Sequence, residues 1–332
     1  MIIDYYRFMA NTKEIQRRIK SIANTKKVTK AMEMVAVTKM RKALESVLRT
    51  RTYANLSWTT ILNLSEAVNS GKSLHPLFVK RKDIKTVGIV LIASNRGLCG
   101  GFNTAIINKA LTSIKIVANK ETEGDKIKTE FIIMGKKARA VYSRFSYKIA
   151  AEFSKADVVS EITEVAPLAR LIINDYLSGR YDKIMVAYTD FVSASRQVPR
   201  IKQLLPIDIE AQDEYLGIVG QSEKIGVSKE FIKTKEDKYL RDRKNTFVFT
   251  YEPSPEEVLN EMLPRLIEIQ LFQALLESNA SEHSARMAAM HQATEAAGDL
   301  VEELTLFYNK ARQAAITLEI AEISAGANAL RS

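Results

Sequence analysis

Residues 266–325 read LIEIQLFQALLESNASEHSARMAAMHQATEAAGDLVEELTLFYNKARQAAITLEIAEISA. Stepping three and four at a time, Leu266, Ile269, Gln273, Leu276, Ala280, His283, Met287, Met290, Thr294, Ala297, Val301, Leu304, Tyr308, Ala311, Ala315, Leu318, Glu322 and Ala325 fall on one line. A repeat of seven on a helix of 3.6 residues per turn drifts around the axis. Keeping such a seam against a partner therefore demands a left-handed supercoil. The seam is rich in Ala, so the partner can approach closely. The start of the helix lies upstream, at Ser254-Pro255-Glu256-Glu257: a capping hydroxyl, proline at the first position and acids in the first turn. Pro264 is expected to kink or break it, because the ring removes an amide hydrogen and crowds a carbonyl one turn back.

A helix with so thin a seam needs a partner, and the other end of the chain offers one. Residues 11–68 contain neither Pro nor Gly. Ile15, Ile19, Ile22, Thr29, Ala36, Met40, Ala43 and Val47 recur three, four or seven apart. Asn11 or Thr12 is the predicted cap, and Asn69-Ser70-Gly71 the predicted stop. At 1.5 Å per residue this helix would run roughly 80–90 Å. Residues 11–51 hold 12 Lys or Arg against 3 acids, a local charge of +9; residues 254–332 hold 5 against 12, a charge of −7. A basic end and an acidic end suit each other, and antiparallel pairing follows if a compact domain lies between them.

The middle of the chain supplies that domain. Val87–Ala93 (VGIVLIA) is a continuous apolar, β-rich run, as in a strand buried on both faces. A helix is predicted near 104–118, a strand at 131–134 with a helix after Gly135, a helix near 158–177 and a strand near 183–188. Alternation of this kind predicts a mainly parallel α/β sheet. Residues 212–246 are polar and rich in Lys and Glu, the composition of a surface insertion. The predicted organisation is thus an extension over 1–10 (residues 1–8 being optional ahead of Met9), a coiled-coil helix over 11–70, a Rossmann-like α/β domain over 84–250, and a second coiled-coil helix over 254–330.

Whole-chain properties exclude several functions. With 332 residues, 46% hydrophobic and 27% charged, the chain is that of a folded protein. A single cysteine rules out an internal disulfide and suits a reducing compartment. No apolar run approaches the ~20 residues of a membrane span. Ser94-Asn95-Arg96-Gly97-Leu98-Cys99-Gly100-Gly101-Phe102-Asn103 follows a strand and opens a helix, where a phosphate loop would sit. It lacks both the Lys-Ser/Thr pair and GxGxxG spacing, so a tight turn is the better reading. Cys99 has no neighbouring base in the sequence to activate it. The three histidines His75, His283 and His291 lack metal-ligand spacing. The basic first helix carries few aromatics, so no base-stacking platform is evident. No catalytic residue, metal or cofactor is expected. Two rivals are a nucleotide-dependent α/β enzyme with helical extensions and a coiled-coil nucleic-acid binder.

Three segments, in order, carry a resemblance. They are Lys13–Ile22 with Thr29–Ala36 and Lys39–Ala43; the turn Ser94–Asn103; and Ser281–Met287 with Tyr308–Thr317 and Glu319-Ile320. Over residues 10–332 they resemble the gamma-subunit family of F-type ATP synthases. The resemblance implies a central-stalk rotor whose paired helices turn inside a ring of alpha and beta subunits. Its α/β domain, with the epsilon subunit, would grip the membrane c ring. By position, Arg286, Arg312, Gln313 and Thr317 resemble residues that contact a beta subunit, and Met32 a coupling-sensitive position. Phe249, Tyr251 and Glu252 resemble the foot facing the c ring and epsilon; Phe249 stands where a relative has Tyr. The light-regulated cysteine pair of the chloroplast form is absent. No mitochondrial presequence is apparent, which implies a peripheral protein at the cytoplasmic face of a bacterial plasma membrane. No nucleic-acid partner is implied.

Overall fold

The computed structural model describes residues 2–69, 75–81, 83–121, 127–157, 161–207 and 252–329. Two long helices, α1 (Ile2–Asn69) and α5 (Pro255–Ala329), flank a sheet domain. In chain order the domain holds β1 (Thr86–Ile92), α2 (Phe102–Glu121), β2 (Lys128–Met134), α3 (Ala140–Phe145), β3 (Lys148–Phe153), α4 (Ala166–Leu177), β4 (Lys183–Ser193) and β5 (Arg196–Leu205). Residues 212–246, Phe249 and Tyr251 lie outside the described residues.

The strands run in the order β3-β2-β1-β4-β5. All neighbours are parallel except the β4–β5 hairpin. β1 is central, and its alternation assigns each side chain to a layer. Val87, Ile89 and Leu91 face Ile106, Ile107 and Ala110 of α2 and Val141 of α3. Val90 and Ile92 face the opposite layer, built from Leu168, Ile172 and Tyr176 of α4 and Leu263 to Leu276 of α5. Burying each such side chain is worth about 1.5–3 kcal/mol. Gly88 leaves room on β1 for the Tyr181 ring, which a Cβ would meet at 3.2 Å. Gly135, at φ +98°, lets the end of β2 approach β1, where a Cβ would stand 2.3 Å from the Ala93 carbonyl oxygen.

The helix starts differ from the sequence reading. α1 begins at Ile2, so Asn11 and Thr12 lie inside it. Residues 2–10 contain no Pro or Gly, and nothing halts propagation toward the N-terminus. Pro264 sits within an α5 that continues unbroken. The flanking Leu263, Leu266 and Ile267 are fully buried, and their combined burial outweighs the ~3 kcal/mol proline penalty. α4 begins at Ala166, after a 3₁₀ turn at Ile162–Glu164, with a proline in its first turn where no amide donor is needed. β3 and β5 are strands that the sequence reading did not anticipate.

Two compact units divide the chain: residues 1–36 with 287–332, and residues 37–286. In the first, α1 and α5 run antiparallel. Lys26 lies beside Gly298, Thr29 Oγ1 meets Thr294 Oγ1 at 2.8 Å, and Glu33 meets His291 at 3.3 Å. Ile15, Ile19, Ile22, Thr29 and Ala36 are the protected face of α1, as the spacing predicts. In the second unit Met40, Ala43 and Val47 of α1 are buried, and residues 266–284 of α5 are buried on every side. Among the described residues no helix is long and apolar enough to cross a membrane.

Candidate functional site

The glycine-rich turn is filled by its own side chains. The Ser94 amide donates to Asn103 Oδ1 at 3.0 Å, and Ser94 Oγ donates to the Arg96 carbonyl at 2.7 Å. Asn103 Nδ2 points at Ser94 Oγ (2.8 Å) and Cys99 Sγ (3.2 Å). Cys99 is buried, and the two imidazoles of this unit are engaged elsewhere: His75 caps Leu77, and His283 bonds Asp157. The turn's hydrogen bonds are therefore spent on holding β1 to α2. Among the described residues no group of His, Cys, Asp and Glu is placed to hold a metal.

A cluster of charges lies where α5 passes the C-terminal edge of the sheet. The Lys155 ammonium pairs with Glu282 Oε2, both side chains nearly fully buried. Arg286 donates to Glu282 Oε1 at 2.9 Å and to the Arg96 and Gly97 carbonyls at 3.3 and 3.4 Å. Burial alone would raise the Glu282 carboxyl; Lys155, with Arg286 behind it, overrides burial and holds it below the ordinary range. His283 Nε2 donates to the Asp157 carbonyl at 2.8 Å, and Nδ1 faces Arg286 at 3.3 Å. Burial lowers this imidazole, so it is a neutral ring with its proton on Nε2. Lys39 of α1 reaches Asp157 at 2.7 Å and, more than any other cause, lowers that carboxyl.

One turn back on α5, Glu277 is fully buried and its carboxyl behaves in the opposite way. Burial first, and then the charge of Asp190, push it up to about 8. Gln273 donates to its Oε1 at 2.9 Å. Glu277 Oε2 and Asp190 Oδ1 find no other partner, while Arg200 holds Asp190 Oδ2 at 2.8 Å. A proton shared between the two carboxyls accounts for both unpaired oxygens.

The sequence-selected residues fall in different places. Arg312, Gln313 and Thr317 are exposed on α5. Thr317 bonds back to the Gln313 carbonyl at 2.9 Å, whereas the side chains of Arg312 and Gln313 have no hydrogen-bond partner among the described residues. Met32 is half-buried on α1. On a different face of α1, an open groove of about 850 Å³ is lined by Lys26, Lys27, Lys30 and Met34 opposite Glu295, Asp299 and Glu302. Arg286 is in the other unit, its side chain mostly buried and its guanidinium committed within the chain. Glu252 is exposed just ahead of α5. Sequence reasoning missed Lys155, Asp157, Asp190, Glu277 and Glu282. The one available signal was two acids, Glu277 and Glu282, inside the most apolar stretch of α5.

The chain matches the family model described as ATP synthase over residues 11–330. It is 38% identical over 323 residues to the ATP synthase gamma chain of Maridesulfovibrio salexigens, covering 97% of this chain and 100% of that one. A chain from the central stalk and c-ring part of the Tetrahymena thermophila mitochondrial ATP synthase superposes with a TM-score of 0.54 at 25% identity, covering 80% of this chain and 99% of that one. A chain of the Euglena gracilis mitochondrial ATP synthase shares the fold with a TM-score of 0.61 at 20% identity, covering 97% of this chain and 95% of that one.

Proposed function

The chain belongs to the ATP synthase gamma family, and from that membership we propose that it is the central-stalk rotor of an F-type ATP synthase. The observation that supports this most is the antiparallel pairing of α1 with α5 in one chain with a five-stranded sheet domain. Such a pair suits the axle of a ring of alpha and beta subunits. The sheet domain, with epsilon, grips the c ring, and proton flow turns ring and shaft together. The shaft itself makes and breaks no bond. It presents a different face to each beta subunit in turn, and nucleotide affinity there changes by the difference in contacts. Run backward, ATP hydrolysis drives the shaft and pumps protons.

On this reading Arg312 and Gln313 meet a beta-subunit loop, with Thr317 one turn further along the same contact. Met32 lies at a second, coupling-sensitive contact. Phe249, Tyr251 and Glu252 form the foot toward the c ring and epsilon. Arg286, whose guanidinium is bound within the chain, reaches the beta contact zone through the segment it positions. The working divisions are an extension at 1–10, shaft helices at 11–70 and 254–330, and the domain at 84–250. On the same reading the complex sits at the cytoplasmic face of a bacterial plasma membrane with this chain held there peripherally, which the bacterial origin of its relatives supports.

The test is co-expression with the alpha, beta, epsilon and c subunits of the same source. The chain should co-purify with them and be required for ATP-driven proton pumping in reconstituted vesicles. Alone it should hydrolyse no ATP. Hydrolysis by the isolated chain, or undiminished pumping by a complex lacking it, would overturn the reading.

A further inference from the structure

Lys155-Ala156-Asp157 leaves the end of β3 as three residues without regular structure, yet its polar groups are taken by five different side chains. The Lys155 ammonium is held by Glu282 of α5, and the Lys155 carbonyl accepts from Asn95 Nδ2 of the β1–α2 turn at 2.6 Å. The Ala156 carbonyl accepts from Asn279 Nδ2 of α5 at 3.4 Å, and the Asp157 carbonyl from His283 Nε2 at 2.8 Å. The Asp157 carboxylate takes the Lys39 ammonium of α1 at 2.7 Å. Arg286 closes the circuit by joining Glu282 to the carbonyls of the β1–α2 turn.

Stability alone does not explain this arrangement. A buried ion pair loses about as much in desolvation as it gains in attraction, and apolar residues of similar volume often serve equally well. What the bonds add is direction. The leucine packing beneath α5 is non-directional and tolerates small rotations, whereas a hydrogen bond weakens steeply with angle. Three consecutive turns of α5 and one of α1 are thereby set in angle and height against the C-terminal edge of the sheet.

We propose that residues 155–157, with Glu282, His283, Arg286 and Lys39, form a clamp that locks both long helices in register against the sheet domain, so that twist passes between them without slip. The clamp rests on the central-stalk reading, and Lys155 and Glu282 are its positioning residues. It also gives Arg286 its role, fixing the turn of α5 it stands on.

The experiment uses the assembled complex carrying Lys155→Met with Glu282→Leu, which keeps volume and removes the central pair. Lys155→Arg, which keeps the charge, is the conservative control. Three quantities are read: ATP hydrolysis rate, protons pumped per ATP, and torsional stiffness from the angular fluctuations of a bead on the c ring with the alpha–beta ring fixed. The double variant should assemble, hydrolyse ATP within about twofold of wild type, pump less than half as many protons per ATP, and be at least twofold softer. Lys155→Arg should behave as wild type. Wild-type pumping and stiffness in the double variant would sink the clamp. Should that variant not assemble, Lys39→Met takes its place, with a smaller fall in both readouts expected and unchanged values again overturning the idea. A wild-type complex that neither turns nor pumps would refute the central-stalk reading itself; a turning wild type matched by its variants refutes only the clamp.

Discussion

Glu277 and Glu282 stand five residues apart on one helix, both buried, and their carboxyls are driven in opposite directions. The difference lies in what faces each. Glu282 has two cations bonded to it, and their attraction exceeds the cost of burial. Glu277 has Gln273 on one oxygen and the Asp190 carboxyl toward the other, with Arg200 already taken by Asp190, Lys202 further off and the Tyr188 hydroxyl raised by the same burial. Unfolded, Glu277 titrates near 4.5; folded, it holds its proton up to about 8. Below the unfolded value both states carry the proton and folding bears no penalty. Between the two values the unfolded chain releases it and the folded chain does not, so stability falls as pH rises through that window. Glu277→Gln keeps the shape without the titration. It should flatten the stability profile between about pH 5 and 8 and exceed wild type by up to about 5 kcal/mol near pH 9. Denaturant titrations of the purified chain at several pH values read this directly. A variant that keeps the wild-type slope would place the alkaline sensitivity on another group.

At the scale of elements, the close approach of the long helices depends on alanine. Ala36 is 1% exposed on α1, and Ala297 is 6% exposed on α5. Ala36→Leu forces three extra carbons into that contact and should cost about 1–3 kcal/mol by overpacking. Ala31→Leu, on the exposed face of the same helix, should be near neutral, since the two residues differ little in helix propensity. Thermal melts of both variants separate the two; equal melting temperatures would mean that the helices can part at no cost. The seam was legible in the sequence because a coiled coil writes its contact as a period in side-chain type, independent of the rest of the fold. β1 was legible for a related reason, since a strand covered on both faces must be apolar throughout. β3 and β5 were not. Each is an edge strand with one strand neighbour, and edge positions accept what a central strand rejects: Lys148 and Glu152 of KIAAEF, and in β5 Pro199 together with Arg196, Arg200 and Lys202. The start of α1 was misplaced because Asn11 and Thr12 can cap a helix but need not, and no breaker precedes them.

Over the whole molecule, the charge asymmetry read from the sequence has a local counterpart: lysines of α1 face acids of α5 across the groove beside Met34 and His291. The candidate site was only partly legible. Arg312 and Gln313 stand out only through the family motif they sit in, and a beta-subunit contact is what that resemblance proposes for them. The clamp could not be picked out, because Lys155 and Glu282 are 127 residues apart and only the sheet's crossovers bring them together. The exposed pair therefore supplies the test at this scale. By the antiparallel register of Thr29 with Thr294, Ala311 falls level with residue 12, so Arg312 and Gln313 lie where α1 no longer carries the quoted basic motifs. Arg312 can form charge-assisted bonds to a beta-subunit carboxylate, and Gln313 a neutral one, each kind weakening steeply with distance. Bonds made at one rotary angle and broken at the next change the barrier between angles, not the stability of the complex. Removing a charge-assisted bond costs about 1.5–3 kcal/mol, so Arg312→Ala with Gln313→Ala should slow ATP hydrolysis and synthesis roughly tenfold while subunit content stays that of wild type. Glu223→Ala with Lys224→Ala, in the polar insertion, should change turnover by less than about twofold. Turnover is compared after both complexes are shown to hold equal amounts of every subunit. If the insertion variant slows and the Arg312/Gln313 variant keeps pace with wild type, the contact that gates rotation lies on the insertion and not on the exposed end of α5.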